Sequence, residues 1–304
     1  MVAVSTTLDW YGCATFRLRT AGLTIFLDAY VDRAPNAAGT GLTAGEVDAC
    51  DWIVIGHSHF DHVWGAERIV ANTEARVIAS YETVRILEHA GVPVDRMLCV
   101  GGGERVDLGN GVHVRVFPSL HSCIWSKTGM AQAGDVCIGD LGVTHQEREA
   151  RMQGFAQHLT TALDTTAIEH LLAGAGGHSD RGDGGTLLFL FETPEGTLLY
   201  QDTSGRWGGV LRELTPDVAI LAAAGRGNVD GEPVQGALAD FVADEAAMTG
   251  ARRVLLGHHD DWLPGFSTPL DVAPIRAAFA ERVPECELLE PGYLEGTRIF
   301  EGLG

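Results

Sequence analysis

Three histidines and a carboxylate occupy four of the six positions in His57-Ser58-His59-Phe60-Asp61-His62. Imidazole nitrogens and carboxylate oxygens are the donors that zinc and its neighbouring transition metals accept in proteins. One histidine alone would indicate a solvated polar turn, but the spacing H-x-H-x-D-H is typical of a metal-binding loop. The chemistry that such a loop offers is the activation of water by a bound metal ion.

The residues that precede this loop predict how it is positioned. Residues 51–55 are mostly apolar and β-branched, and the run stops at Gly56. This pattern is typical of a buried strand that ends in a tight loop. Because a loop at a strand end can direct several side chains at one point, we expect the four polar side chains to converge.

Three further polar residues directly follow a predicted strand: His121 after 112–117, Asp202 after 197–201 and His258 after 253–257. Asp202 is also suited to be the N-cap of a helix over 207–214. His259 is an alternative to His258, because the sequence does not fix the register of a loop. Cys123 is either a packed cysteine or a thiolate ligand.

The beginning of the chain predicts a hairpin, with strands over 8–19 and 23–28 joined through 20–22. Together with the histidine loop, this pattern resembles the metallo-β-lactamase superfamily, and it is most similar to the branch that includes the ascorbate-phosphate lactonases. Those proteins often carry a histidine after the first glycine, where this chain has Cys13. The resemblance implies an α/β fold of the αβ/βα four-layer sandwich type, with two packed sheets and helices outside. It further implies a single domain over 1–304, with an insertion at about 122–184 that covers the active site.

The resemblance also implies a binuclear centre with two divalent metal ions, zinc in the first place and manganese or iron as alternatives. The implied ligands are His57, His59 and His121 for one metal, Asp61, His62 and His258 for the other, and Asp202 as the bridge. Asp28, at the end of the second predicted strand, either orients a ligand histidine or is a simple turn residue.

The function implied is that of a metal-dependent hydrolase, in which a metal-bound hydroxide attacks a small ester, lactone or amide. Asp61 is expected to orient that hydroxide. His178, in a glycine-rich loop of the insertion, is a candidate proton donor or substrate contact, with a solvated loop histidine as the alternative. A phosphodiesterase, a metal-dependent redox enzyme and a non-catalytic metal- or ligand-binding protein are the other functions that this scaffold allows.

The composition limits the partners of the protein. Formal charge is −20, from 41 acidic and 21 basic residues, and this excess repels nucleic-acid phosphates. No apolar run is long enough for a membrane span, and residues 1–5 do not begin a signal peptide. None of the 6 cysteines forms a C-x-x-C pair, which predicts reduced and mostly buried thiols. We expect a cytoplasmic enzyme with a small-molecule substrate, and the sequence leaves a homo-oligomer open.

Overall fold

A computed structural model describes residues 5–175 and 182–303. The strands are β1 Thr7–Gly12, β2 Thr15–Thr20, β3 Leu23–Leu27, β4 Trp52–Val54, β5 Arg76–Ser80, β6 Met97–Val100, β7 Arg105–Gly109, β8 Val112–Pro118, β9 Leu187–Thr193, β10 Gly196–Tyr200, β11 Gly205–Arg206, β12 Val218–Ala222, β13 Asn228–Val229, β14 Glu232–Pro233, β15 Arg253–Gly257, β16 Glu287–Leu289 and β17 Thr297–Arg298. The helices are α1 Phe60–Val63, α2 Ala66–Asn72, α3 Tyr81–His89, α4 His145–Ala162, α5 Thr165–Ala175, α6 Gly208–Leu211, α7 Leu238–Thr249 and α8 Ala273–Arg282.

Two seven-stranded sheets make up most of the fold. The first has the order β17-β1-β2-β3-β4-β5-β6, and the second has the order β16-β15-β12-β10-β9-β8-β7. A buried apolar cluster that includes Phe16, Val54, Phe189 and Ile220 joins their facing sides. Helices α2 and α3 pack on the outer side of the first sheet, and α7 and α8 pack on the outer side of the second. The predicted αβ/βα sandwich is therefore confirmed.

The central strands are apolar on both faces because both faces are covered. Strands β4, β12 and β15 are buried along their whole length, and each pairs in parallel with its neighbours. Parallel sheets need this double cover, which explains the nearly continuous apolar runs in the sequence. Because β10, β12 and β15 are parallel, the loops that follow β10 and β15 emerge at one edge of the second sheet, and the loop after β4 of the first sheet meets them there.

The beginning of the chain differs from its predicted hairpin. The strand expected over 8–19 is wrong, because the chain turns back at residues 12–15 and forms two strands, β1 and β2. Gly12 has φ +96° and Cys13 has φ +50°, and these left-handed conformations end an extended strand. The turn places Cys13 at the sheet edge where the histidine loop emerges.

The segment predicted as an insertion contains two helices, α4 and α5, which pack beside the histidine loop. Ala167 and Leu163 of this segment share an apolar cluster with Tyr30 and Trp262. The Tyr30 hydroxyl lies 2.7 Å from Nε2 of His170 on α5. No helix in the described ranges is long and apolar enough to cross a membrane.

A buried polar network supports the end of β10. The side-chain amide of Gln201 donates to Glu245 Oε1 on α7 at 3.0 Å and to the carbonyl of Gly205 at 2.8 Å. Arg206 lies 3.6 Å from the same carboxylate oxygen. Burial raises the pKa of Glu245 to about 7, although Arg206 opposes the shift. The network therefore joins the residue before Asp202 to the helix layer.

This raised pKa predicts a stability that falls as pH rises. The unfolded chain releases the Glu245 proton near its ordinary pKa, while the folded protein keeps it up to about 7. The free energy of unfolding should therefore decrease between those two values, by up to roughly 3 kcal/mol. Glu245→Gln should remove this part of the pH dependence. Urea denaturation of both proteins across this pH range measures the effect.

The exposed Glu281→Gln on α8 is the matched control and should retain the wild-type pH dependence. An identical pH dependence in wild type and Glu245→Gln would contradict the assignment of the raised pKa to Glu245.

Candidate metal centre

Three histidines from two loops form the first group of donors. His57 and His59 follow β4, and His121 follows β8. Their ring centroids lie 4.6 to 4.8 Å apart, and their ligand nitrogens lie within 4.8 Å of one another. His59 Nε2 also lies 2.8 Å from the carbonyl oxygen of Gly182, and His121 Nδ1 lies 2.8 Å from that of Ser122. These are the three residues predicted to hold one metal.

The second group surrounds the carboxylate of Asp202, which is fully buried. Asp202 Oδ2 lies 2.5 Å from His57 Nδ1 and 3.4 Å from His62 Nδ1. His62 Nδ1 in turn lies 2.5 Å from Asp28 Oδ2. Asp202 Oδ2 therefore lies between His57, a histidine of the first group, and His62.

The third group includes a residue that was not predicted as a ligand. Asp61 Oδ2 lies 3.3 Å from His258 Nε2 and 3.5 Å from His62 Nε2. The thiol sulfur of Cys13 lies 3.6 Å from His258 Nε2 and 3.9 Å from Asp61 Oδ2. The signal in the sequence was the place of Cys13, where the similar branch carries a histidine, but only the fold shows its distance from Asp61 and His258.

Of the remaining candidate residues, some lie in the donor cluster and others do not. His258 joins the donor cluster, whereas the ring of His259 stacks on Trp10 with centroids 4.6 Å apart. Asp202 is not a helix N-cap, because α6 begins at Gly208 with Trp207 as its N-cap. Cys123 is buried and belongs to none of the donor groups found among the described residues.

Asp28 combines both roles that the sequence left open. Its φ of +55° ends β3, and its carboxylate accepts from the backbone N–H of Gly56 at 2.8 Å and contacts His62. His178 lies outside the described residues, so its role stays a prediction. All 6 cysteines are free, and 4 of them are buried, as predicted.

The first group is electrostatically suited to bind a cation. Burial lowers the pKa of His57 well below its ordinary range, and the neighbouring imidazoles lower it further. The same causes lower the pKa of His59 to about 3 and that of His121 to about 4. The rings are therefore neutral at pH 7, which is the form that coordinates metals.

The pKa values of the two nearby carboxylates shift in opposite directions, down for Asp61 and up for Asp202. Burial opposes the charge on Asp61, but His62 and His258 hold the pKa of this carboxyl well below its usual range. Burial also favours the neutral form of His62, yet Asp61 and Asp28 raise the pKa of His62 to about 9. Burial and the adjacent Asp28 raise the pKa of Asp202 well above its usual range. A cation among these groups would relieve the repulsion between carboxylates.

Unpaired buried atoms support the fit to a metal. His57 Nε2 and Asp202 Oδ1 are buried and have no hydrogen-bond partner among the described residues. Leaving such groups unpaired is costly, and a metal bond would satisfy both. Gly56 also packs so closely on Asp202 that a Cβ at this position would overlap the carboxylate. The donor types, their burial and their spacing all fit a divalent metal.

A cavity of about 630 Å³ opens above the donors. Its floor includes His59, Asp61, His62, His121 and His258. Its walls are largely apolar. From α4 and the segment before it come Trp125, Met130, Met152, Phe155 and Leu159, and from the loop after β15 come Trp262 and Phe266. The predicted insertion therefore contributes to the wall beside the candidate metal centre.

The comparison with protein families agrees with this geometry. The model of the β-lactamase superfamily domain matches residues 24–185, which is more than half of the chain. The chain belongs to the metallo-β-lactamase superfamily of metal-dependent hydrolases. Within this superfamily, a UPF0173 metal-dependent hydrolase of Solibacter usitatus is 31% identical over 167 residues, which cover 54% of this chain and 67% of that protein.

A second relative matches a shorter segment, and one solved structure matches the fold alone. A UPF0173 metal-dependent hydrolase of Caldivirga maquilingensis is 34% identical over 116 residues, and the chain spans 48% of its length. The metallo hydrolase Igni18 of Ignicoccus hospitalis has a similar structure, with a TM-score of 0.61 over 97% of this chain and 98% of that one. At 13% identity, this last likeness supports the fold only.

The contact between Gly56 and Asp202 gives a testable prediction. Gly56→Ala should displace the Asp202 carboxylate, because the added methyl group occupies its place. We expect a loss of stability of about 1–3 kcal/mol and a lower metal content. Urea denaturation and elemental analysis of the purified variant measure the two effects.

Gly101→Ala is the matched control, since Gly101 also follows a strand but has open space around it. It should retain wild-type stability and metal content. If Gly56→Ala also retained both, the tight packing of Gly56 on Asp202 would have no role in the centre.

Proposed function

We propose that this protein is a binuclear metal-dependent hydrolase that cleaves a small ester, lactone or amide with an apolar group. The observation that carries the proposal is the position of the candidate ligands at the floor of a largely apolar cavity. Such a cavity binds an uncharged organic substrate by burial and presents its reacting bond to the donors below.

The two metals would be held by the donors described above. His57, His59 and His121 would hold one, and His62, Asp61 and His258 would hold the other. Asp202 would lie between them, in contact with both groups. When bound, divalent metals supply Lewis acidity and lower the pKa of water toward neutrality.

The residues of the chain then position the reactants. Asp61 is ionised at neutral pH, so its carboxylate can accept a hydrogen bond from the attacking water and orient it. Asp28 fixes the ring of His62 through the contact at Nδ1, which leaves Nε2 toward Asp61. A substrate that fills the space between the apolar walls would displace water and so strengthen the electrostatic interactions at the reacting bond.

The charges around the cavity favour an ester, lactone or amide over a phosphodiester. Arg148 is the one lysine or arginine among the described residues that line it, and its guanidinium stacks 4.1 Å from the Trp125 ring centroid. Glu149 and Asp183 line the same cavity with opposite charge. Phosphate recognition usually relies on several cationic donors, which these residues do not provide.

A substrate panel tests the proposal. The purified protein should hydrolyse aryl esters, lactones or anilides, lose that activity after treatment with a chelator, and regain it on addition of zinc or manganese. Turnover of a bis-aryl phosphate diester alone would favour a phosphodiesterase. Tight metal binding without turnover of any substrate in the panel would favour a non-catalytic binding protein.

The apolar wall gives a second prediction. Phe155 of α4 lines the cavity and packs on Phe266 with ring centroids 5.7 Å apart. Phe155→Ala should lower kcat/KM about 10-fold for esters with a large apolar group and leave acetate esters unchanged, because less apolar surface is buried on binding. Steady-state kinetics on a series of acyl chain lengths measures the change.

Gln153→Ala is the control on the same helix, because Gln153 is exposed and does not line the cavity. It should match the wild type on every ester of the series. An equal loss on short and long esters in Phe155→Ala would assign this residue to folding rather than to substrate recognition.

A further inference from the structure

Cys13 occupies a place in the donor cluster that the predicted ligand set does not include. Its side chain is fully buried, and its sulfur, a carboxylate oxygen of Asp61 and a ring nitrogen of His258 lie within 4.8 Å of one another. Sulfur, oxygen and imidazole nitrogen are all zinc donors. The three residues come from distant parts of the sequence, so the fold alone assembles this group.

Two of the three distances within the group match those between ligands of one metal. Zinc binds sulfur at about 2.3 Å and nitrogen or oxygen at about 2.0–2.2 Å. Tetrahedral angles then require separations of about 3.6 Å between sulfur and nitrogen and about 3.3 Å between nitrogen and oxygen. The observed separations are 3.6 Å from Cys13 Sγ to His258 Nε2 and 3.3 Å from His258 Nε2 to Asp61 Oδ2. The sulfur lies 3.9 Å from Asp61 Oδ2.

A weak hydrogen bond is the competing explanation for this contact. The Cys13 thiol can donate to the backbone carbonyl of Asp61 at 3.6 Å. That bond leaves unexplained why the sulfur also meets His258 Nε2 and the Asp61 carboxylate. His62 Nε2 lies 3.5 Å from the same carboxylate oxygen, so a metal held by the group of three would also be near His62.

The backbone holds the two ends of this group together. The N–H of His258 donates to the carbonyl of Cys13 at 2.7 Å, and the N–H of Cys13 donates to Asp260 Oδ1 at 2.9 Å. The second oxygen of Asp260 accepts from the Tyr293 hydroxyl at 2.9 Å and pairs with Arg33. The sulfur is therefore fixed relative to His258 by a preformed frame.

We propose that Cys13 is a thiolate ligand of the second metal, together with Asp61, His62 and His258. This inference rests on the proposed function, because it assumes that a metal binds at these residues. It predicts an asymmetric centre, with three imidazoles at one metal and a sulfur donor at the other. Because thiolate is a soft ligand, the second position should prefer zinc or cobalt over manganese.

The binding of Cys13 to a metal requires the loss of one proton and no oxidation or reduction. The S–H bond of Cys13 breaks, its proton passes to the buffer, and the electron pair that remains on sulfur forms the bond to the metal. The proposal thus needs only a divalent ion and a proton acceptor in solution.

Cobalt substitution tests the proposal by a signal that is independent of activity. The protein is stripped with a chelator and titrated with Co²⁺, and its absorption spectrum is recorded. Cobalt bound to imidazole and carboxylate gives bands in the visible range, and a cobalt–thiolate bond adds a charge-transfer band in the near ultraviolet. We expect both in the wild type, with the ultraviolet band appearing as the second cobalt binds.

Two cysteine variants test whether the ultraviolet band arises from Cys13. Cys13→Ser should lose the ultraviolet band and keep the visible bands of the first cobalt. Cys123→Ala is the matched control, because Cys123 is also buried and lies two residues from His121, yet it belongs to no donor group among the described residues. It should keep the ultraviolet band. If Cys13→Ser does not fold, Cys13→His is the alternative, and it should also lack the ultraviolet band because it has no thiolate at this position.

The outcomes separate this inference from the proposed function. Two bound cobalt ions with visible bands and no ultraviolet band in the wild type would overturn the role of Cys13 and leave the binuclear centre intact. An ultraviolet band that persists in Cys13→Ser would also overturn it. No cobalt binding at all would overturn both proposals together.

Discussion

The structure depends on the burial of several charged and imidazole groups at one edge of two sheets. Asp28 and Asp202 are fully buried within contact of the same ring nitrogen of His62. Two carboxylates at this distance repel each other in a medium of low polarity, as the raised pKa of Asp202 reflects. Such an arrangement is favourable only with a positive charge nearby, which protonated His62 supplies in the metal-free protein. A metal ion bound at these donors, as proposed above, would supply this charge in place of the His62 proton.

The remainder of the fold holds these groups against their mutual repulsion. Parallel strands bring the loops to one edge, and the core between the sheets fixes the relative positions of those loops. Locally, Cys13, Asp28 and His258 all adopt left-handed backbone conformations, which few residues other than glycine tolerate. Strained residues of this kind cluster at functional sites, where the surrounding contacts hold them in place. The burial of the large apolar interior therefore offsets the free-energy cost of holding these groups in place.

The sequence predicted the architecture and most of the cluster for a clear reason. Buried parallel strands are apolar along their length, so their ends are visible in the sequence, and polar residues just after them mark the site edge. The histidine loop is visible in this way, and the resemblance to the superfamily implies His121, Asp202 and His258 after later strands. The parts that could not be predicted depend on contacts between distant segments. The sequence predicts a continuous strand through the turn at Cys13, and only the fold shows that His259 stacks on Trp10 while His258 faces the donors.

We propose that this edge binds two metal ions in one centre. The most direct measurement is elemental analysis of protein purified without added metal, and again after reconstitution with zinc, expressed as metal per chain. The account predicts a value near two that falls when Asp202 is replaced by alanine, because the carboxylate between the two groups is lost. A value near zero after reconstitution, or a value of two that Asp202→Ala leaves unchanged, would contradict it.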